Sequence, residues 1–198
     1  MTWIKLCGMR SRDDVAAAVA AGADAVGFVI DPGSPRGITV EEAARCGVGA
    51  PLERYLVTVD LAPAEVVAAA RAGDADGVQP HGKGARNAAE HALAAGLRVL
   101  FPVRVGAGLD LSGVPEGAVP LLDAAVAGRH GGTGRSFDWS LAAALDRPFV
   151  LAGGLTADTV AGAIEIARPW GVDVSTGIES APGRKDHAQM RRFVEAVR

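Results

Sequence analysis

Along the chain, short apolar runs alternate with alanine-rich stretches in which polar residues recur at helical spacing. The first run covers residues 3–7. It precedes Ser11, an N-cap residue, with Asp13 and Asp14 in the first turn, where carboxylates favour the positive end of a helix. A helix is expected from there to about residue 21, stopped by Gly22. Residues 23–30 form an almost unbroken apolar run, the mark of a strand buried on both faces. A loop rich in proline and glycine covers 31–37, and Thr39 caps a second helix that opens with Glu41 and Glu42.

The same unit then recurs. Strands are expected at 54–59, 77–79, 97–103, 118–122, 149–152 and 172–174. Helices are expected at 63–72, 85–95, 138–145, from a Thr156 cap to about 167, and at 187–197. Residues 106–117 have little helical periodicity, so the fifth helix is expected to be short or lost. Residues 123–136 read as a long glycine-rich loop, whose Gly131 to Gly134 run is either a lid or a flexible connection. Eight such units predict an α/β fold, a parallel single-domain (β/α)8 TIM barrel with a degenerate helix 5. A doubly wound open sheet would present five or six units. At 198 residues the chain sits at the lower edge for a barrel, so short loops are required. No linker or charge block marks a second domain, and one domain is expected over 1–198.

Composition narrows the function. Hydrophobic residues make up 49%, largely alanine, while aromatics make up only 5%, which suits thin helices packed closely on a sheet. The net charge of −3 and the lack of a basic stripe argue against a nucleic-acid partner. No apolar run approaches the roughly 18 residues of a membrane span. The N-terminal residues do not read as a secretory leader, so a cytoplasmic location is expected, with Cys7 and Cys46 as thiols. Cys46, inside helix 2, reads as a small core hydrophobe.

In a barrel, chemistry gathers at the C-terminal ends of the strands. Those positions carry Cys7 after strand 1, Ser34 and Arg36 after strand 2, and Gln79 and His81 after strand 4. Asp123 follows strand 6, Gly153 and Gly154 follow strand 7, and strand 8 ends in Asp173, Ser175, Thr176 and Gly177. Gly153 and Gly154 let backbone N–H groups approach an anion, and Ser175, Thr176 and Gly177 add hydroxyls and further N–H groups. A short extra helix near residues 178–181 would add its dipole, and together these residues read as a phosphate site. Cys7 reads as a base if nearby helix N-termini and a cation lower its pKa. Asp123 ends an apolar strand, where partial burial would raise its pKa and favour the acid form. An acid and a base on opposite sides of a bound sugar suit an aldose–ketose proton shift. Gln79 and His81 either contact substrate or fix the strand 4 loop, and Asp173 orients the mouth.

Several motifs, taken in order, carry a resemblance. They are Lys5-Leu6-Cys7-Gly8, Ser34-Pro35-Arg36, Val78-Gln79-Pro80-His81-Gly82, Leu121-Leu122-Asp123, Leu151-Ala152-Gly153-Gly154-Leu155, the run from Val172 to Glu179, and Pro182-Gly183-Arg184-Lys185-Asp186. With Gly22 to Val29 and Gly131 to Trp139 they span nearly the whole chain. This set resembles the phosphoribosylanthranilate isomerase family. Pro80 stands where the family commonly has leucine, and Ala124 where serine or threonine is frequent. The resemblance implies the Amadori rearrangement of a phosphoribosylated anthranilate, with Asp123 as general acid on the ring oxygen and Cys7 as the base that takes the C2 proton. It further implies that Arg36 pairs with the anthranilate carboxylate, and that no cofactor or metal is needed. The expected partner is a small phosphorylated molecule, and the expected assembly a monomer or homodimer. Two other readings stand beside it. One is a broader-specificity phosphoribosyl aminoaldose isomerase, and the other a non-catalytic phosphate-ligand-binding paralogue.

Overall fold

The computed structural model describes residues 1–106, 108–124 and 138–198. The expected lid run, Gly131 to Gly134, lies outside the described residues. Eight parallel strands close into a barrel in chain order: β1 (Trp3–Cys7), β2 (Ala25–Ile30), β3 (Glu53–Val59), β4 (Gly77–His81), β5 (Arg98–Val105), β6 (Val119–Ala124), β7 (Val150–Leu151) and β8 (Gly171–Val174). Six α-helices pack outside: α1 (Arg12–Ala21), α2 (Val40–Gly47), α3 (Pro63–Ala72), α4 (Ala85–Ala94), α5 (Val160–Ala167) and α6 (His187–Val197). A closed barrel leaves no exposed sheet edge. Among the described residues, no helix is long and apolar enough to cross a membrane.

Side chains alternate along each strand, and this decides what the barrel holds. On β1, Ile4 and Leu6 point outward into the layer beneath the helices, where they meet Val26, Phe28, Val172 and Phe193. Burying each such side chain is worth about 1.5–3 kcal/mol. The odd positions Trp3, Lys5 and Cys7 turn inward. Inside, Trp3 packs with Ala25, Tyr55, Leu100, Leu121 and Val150 near the floor, and Cys7 with Val29 and Val57 near the mouth.

Local signals set most helix ends. The Ser11 Oγ accepts the Asp14 N–H at 3.1 Å, and α1 ends on Gly22 at φ 85°. Thr39 and Glu42 form a reciprocal capping box on α2. Three expectations change. Residues 138–145 hold a 3-10 turn, Trp139–Leu141, in place of the α-helix expected there. The Asp138 carboxylate accepts both the N–H and the hydroxyl of Ser140, local bonds that favour a tight turn over a helix. Thr156 begins a turn, and the α-helix after β7 starts only at Val160, with Thr159 in the N-cap position but making no side-chain cap bond. Residues 178–181 are not helical: a 3-10 turn covers Thr176–Ile178, and β9 (Glu179–Ala181) pairs antiparallel with β10 (Arg184–Lys185). Between β5 and β6 no helix forms among the described residues, as the weak periodicity there suggests.

Strands β4 and β5 pair only at Gly77–Arg98 and Val78–Val99. Pro80 on β4 and Pro102 on β5 lack the N–H that would carry the ladder onward. The strands part toward the mouth, and a hollow opens between them.

The α1 cap gives a direct stability test. Ser11→Ala should cost about 1 kcal/mol, read as a lower urea midpoint with an unchanged slope. An unchanged midpoint would mean the cap is redundant with the Asp14 contacts.

Candidate active site

The inward positions of β1, β4 and β8 place a charged side chain where a barrel normally holds apolar ones. Lys5 is 0% exposed. Its Nζ donates to Asp173 Oδ1 at 2.8 Å and to Gln79 Oε1 at 2.9 Å. Lys5 and Asp173 face each other because β1 and β8 pair at that register. Burial pulls the Lys5 ammonium down, but Asp173 and Cys7 hold it above the ordinary lysine value.

This contact propagates. An ammonium can only donate, so the carbonyl oxygen of Gln79 must face Lys5 and its amide NH2 must face away. That NH2 lies 3.0 Å from His81 Nε2, which therefore accepts, and His81 carries its proton on Nδ1. Asp173, Lys5, Gln79 and His81 thus form one ordered polar chain across the barrel.

Cys7 lies beside it. A Cβ on Gly27 would stand 2.7 Å from the Cys7 sulfur and 3.2 Å from Lys5 Nζ, so the glycine leaves the room both groups use. Burial pushes the Cys7 thiol up further than Lys5 pulls it back, with Asp173 adding to the rise and Lys185 opposing it. The cations expected from the sequence are present, yet the free thiol's pKa is raised, not lowered. Asp123 behaves as expected: burial first, then the charge of Asp173, pushes its carboxyl up to about 6, against smaller pulls from the Ala124 N–H and Arg104.

The concave surfaces join these groups. A cavity of about 730 Å³, within the usual range for small-molecule sites, is lined by Cys7, Ser34, Arg36, Gln79, His81, Thr176 and Glu179 among others. A small recess of about 30 Å³ is lined by Gly153, Gly154, Leu155, Asp173, Val174, Ser175 and Thr176. Thr176 belongs to both. Asp123 lines the hollow opened between β4 and β5, about 340 Å³, together with Lys83, Arg104 and His81. His81 therefore borders both the Cys7 side and the Asp123 side of the mouth. Among the described residues, no group of three His, Cys, Asp or Glu side chains is arranged to hold a metal ion.

Gly153 and Gly154, which line the recess, both take positive φ, 84° and 68°, a conformation that favours glycine. A Cβ on Gly153 would stand 2.6 Å from Asp123 Oδ1, so the same glycine also clears the acid. Gly177 does not line the recess. A Cβ there would strike the Leu155 carbonyl, and the glycine lets the loops after β7 and β8 touch.

Arg36 is not solvated. Its Nε and Nη2 each donate to Glu179 at 2.8 Å, and its remaining edge is left to the cavity wall. Three buried charges escaped the sequence reading: Lys5, Glu179 and Lys185. Lys5 was detectable, because an inward Cys7 forces the residue two before it inward as well. Glu179 and Lys185 were not, because their pairing depends on a hairpin where a helix was expected.

A family model described as N-(5'phosphoribosyl)anthranilate (PRA) isomerase matches residues 4–196. An N-(5'-phosphoribosyl)anthranilate isomerase of Magnetococcus marinus is 44% identical over 98% of this chain and 94% of its own. The crystal structure of phosphoribosyl anthranilate isomerase from Thermotoga maritima is similar with a TM-score of 0.87 and 34% identity, covering 99% of this chain and 98% of that one. A phosphoribosyl anthranilate isomerase in complex with reduced 1-(o-carboxyphenylamino)-1-deoxyribulose 5-phosphate is similar with a TM-score of 0.83 and 32% identity, again covering 99% and 98%. The matches run nearly end to end over a closed barrel with polar groups gathered at its mouth, and the chain belongs to the N-(5'-phosphoribosyl)anthranilate isomerase family.

Proposed function

We propose that this chain is one barrel domain that converts N-(5-phosphoribosyl)anthranilate to 1-(o-carboxyphenylamino)-1-deoxyribulose 5-phosphate, a step of tryptophan biosynthesis, in the cytoplasm. The observation that carries the reading is the family match over residues 4–196, joined to a raised carboxyl at Asp123 and a buried thiol at Cys7 around one mouth. The recess at Gly153, Gly154, Ser175 and Thr176 takes the phosphate through backbone N–H groups and hydroxyls. The sugar then spans from there toward Cys7 and Asp123. Gln79, His81 and Asp173 line its path, and Arg36 meets the anthranilate carboxylate.

Asp123, protonated through its raised pKa, gives its proton to the furanose ring oxygen. The C1–O bond breaks, and the nitrogen lone pair forms a C1=N iminium. Cys7 as thiolate then removes the C2 proton, and the C–H electrons flow into the C1=C2 bond and neutralise the nitrogen. The enaminol gains a proton at C1 and loses its hydroxyl proton, giving the ketone. Atoms and charge balance without a cofactor, because the substrate's own nitrogen is the electron sink. The iminium cation also addresses the raised thiol: a positive charge arriving beside Cys7 favours the thiolate at the moment it is needed. Every residue named sits on one chain, so the mechanism suits a monomer or a homodimer equally.

Cys7→Ala and Asp123→Asn should each lower kcat by about 10²- to 10⁴-fold, while calorimetry still finds tight binding of a reduced product analogue. Near-normal turnover in either variant would remove that residue from the mechanism.

The pH profile carries a second test. The productive form needs Asp123 protonated and Cys7 ionised. Below about 6, the carboxyl is already protonated and activity falls with the thiolate. Above it, loss of the Asp123 proton offsets the gain in thiolate, and the profile is flat until the thiol itself titrates. The residual activity of Asp123→Asn should instead keep rising with pH through that flat region. A variant profile that still levels off near pH 6 would place that limb on another group.

A further inference from the structure

On β9 and β10, Glu179 and Lys185 are register partners, and Glu179 lines the cavity with Lys185 bonded behind it. Glu179 has a side-chain exposure of 4%, and Lys185 of 0%. One carboxylate there serves two cations: Oε1 accepts from Arg36 Nε and from Lys185 Nζ, and Oε2 accepts from Arg36 Nη2, each at 2.8 Å. Lys185 also donates to the Ser175 carbonyl at 3.0 Å. Burial pushes the Glu179 carboxyl up, but its two cationic partners outweigh this and hold it below the ordinary value.

The surroundings press this group together. A Cβ on Gly8 would stand 2.9 Å from Arg36 Cδ and 3.2 Å from Lys185 Nζ. A Cβ on Gly183, at the hairpin turn, would strike the Pro35 carbonyl, so the hairpin can lie directly on the loop that carries Arg36. Arg10 Nη1 donates to the Gly183 carbonyl at 3.3 Å and also ties the turn down.

Charge counting gives the cluster a purpose. Arg36 paired with Glu179 alone is neutral and would attract a substrate carboxylate weakly. Burial pulls the Lys185 ammonium down while the Glu179 carboxylate supports it, and with Lys185 charged the three side chains carry one net positive charge. The two-point grip on Nε and Nη2 also fixes the plane of the guanidinium, so its other edge is presented in one orientation. A bidentate fork discriminates by that orientation as well as by charge.

We infer that Glu179 and Lys185 are positioning residues that confer selectivity for an arylamine bearing an ortho carboxylate. Glu179 orients Arg36, and Lys185 offsets the Glu179 charge so that Arg36 still acts as a cation toward substrate. The inference rests on the isomerase reading above and on Arg36 meeting the carboxylate.

The readout is a ratio: kcat/KM for N-(5-phosphoribosyl)anthranilate divided by that for N-(5-phosphoribosyl)aniline, which lacks the carboxylate. Effects on the thiol, the acid or the phosphate site act on both substrates and cancel. Glu179→Asp keeps the charge but cannot reach both partners, and it should lower the ratio about tenfold through KM. Lys185→Met should lower it at least as much, and Lys185→Arg should restore most of it. Thermal melts run beside the kinetics identify a variant that fails to fold, in which case the remaining variants decide. A ratio within twofold of wild type in both Glu179→Asp and Lys185→Met overturns the inference. Wild-type protein that turns over neither substrate overturns the isomerase reading itself, and the inference falls with it.

Discussion

Lys5 enters the barrel between Asp173 and Gln79, and water cannot follow it. An ammonium stripped of water is tolerable only beside a carboxylate and with its hydrogen bonds made, and both conditions hold at 2.8 and 2.9 Å. Removing one partner of such a pair leaves a buried charge, at a cost of about 3–5 kcal/mol. The pair therefore tolerates little movement. Through Gln79 it decides how His81 is protonated, through Asp173 it raises the carboxyl of Asp123, and by proximity it supplies the countercharge for a Cys7 thiolate. The Cys7 thiol and the Asp123 carboxyl answer to one buried pair although they stand on strands β1 and β6.

A second ionic group, built from Arg36, Glu179 and Lys185, stands beside Gly8. The two groups divide the labour. The Lys5 group lies inside the barrel and governs proton affinity. The Arg36 group lies in the loops and the hairpin after β8 and, on the proposed reading, governs what the mouth will hold. Glycines make both feasible: Gly27 leaves space for the sulfur and the ammonium, Gly8 for the guanidinium stem, and Gly153 for the acid.

Much of this was legible in the chain. The inward faces of the strands follow from alternation, so the placing of Cys7, Gln79, Asp123 and Asp173 could be read from strand ends alone. The Ser11, Thr39 and Gly22 signals set helix boundaries because each satisfies local backbone groups without tertiary help. Two elements were misread. A 3-10 turn at Trp139–Leu141 stands where a helix was expected, although the alanines and leucines of 141–145 favour one. The hairpin of β9 and β10 depends on Gly183 resting against Pro35, a contact no local pattern announces. The thiol of Cys7 was expected to be acidified by its cationic neighbours. The cations are there, but sequence does not report how completely a side chain is stripped of water, and that term is the larger one.

The coupling between Lys5 and the Cys7 thiol is the contact on which the chemistry of the mouth depends. Peptide mass spectrometry can follow alkylation of Cys7 by iodoacetamide between about pH 6 and 10, with Cys46 in the same chain as an internal reference. In wild-type protein the Cys7 rate should climb only above the ordinary thiol range. In Lys5→Met that climb should move to still higher pH, with the Cys7 rate at a given pH down by about tenfold and the Cys46 rate unchanged. The same rate and the same pH dependence at Cys7 in both proteins would contradict the account.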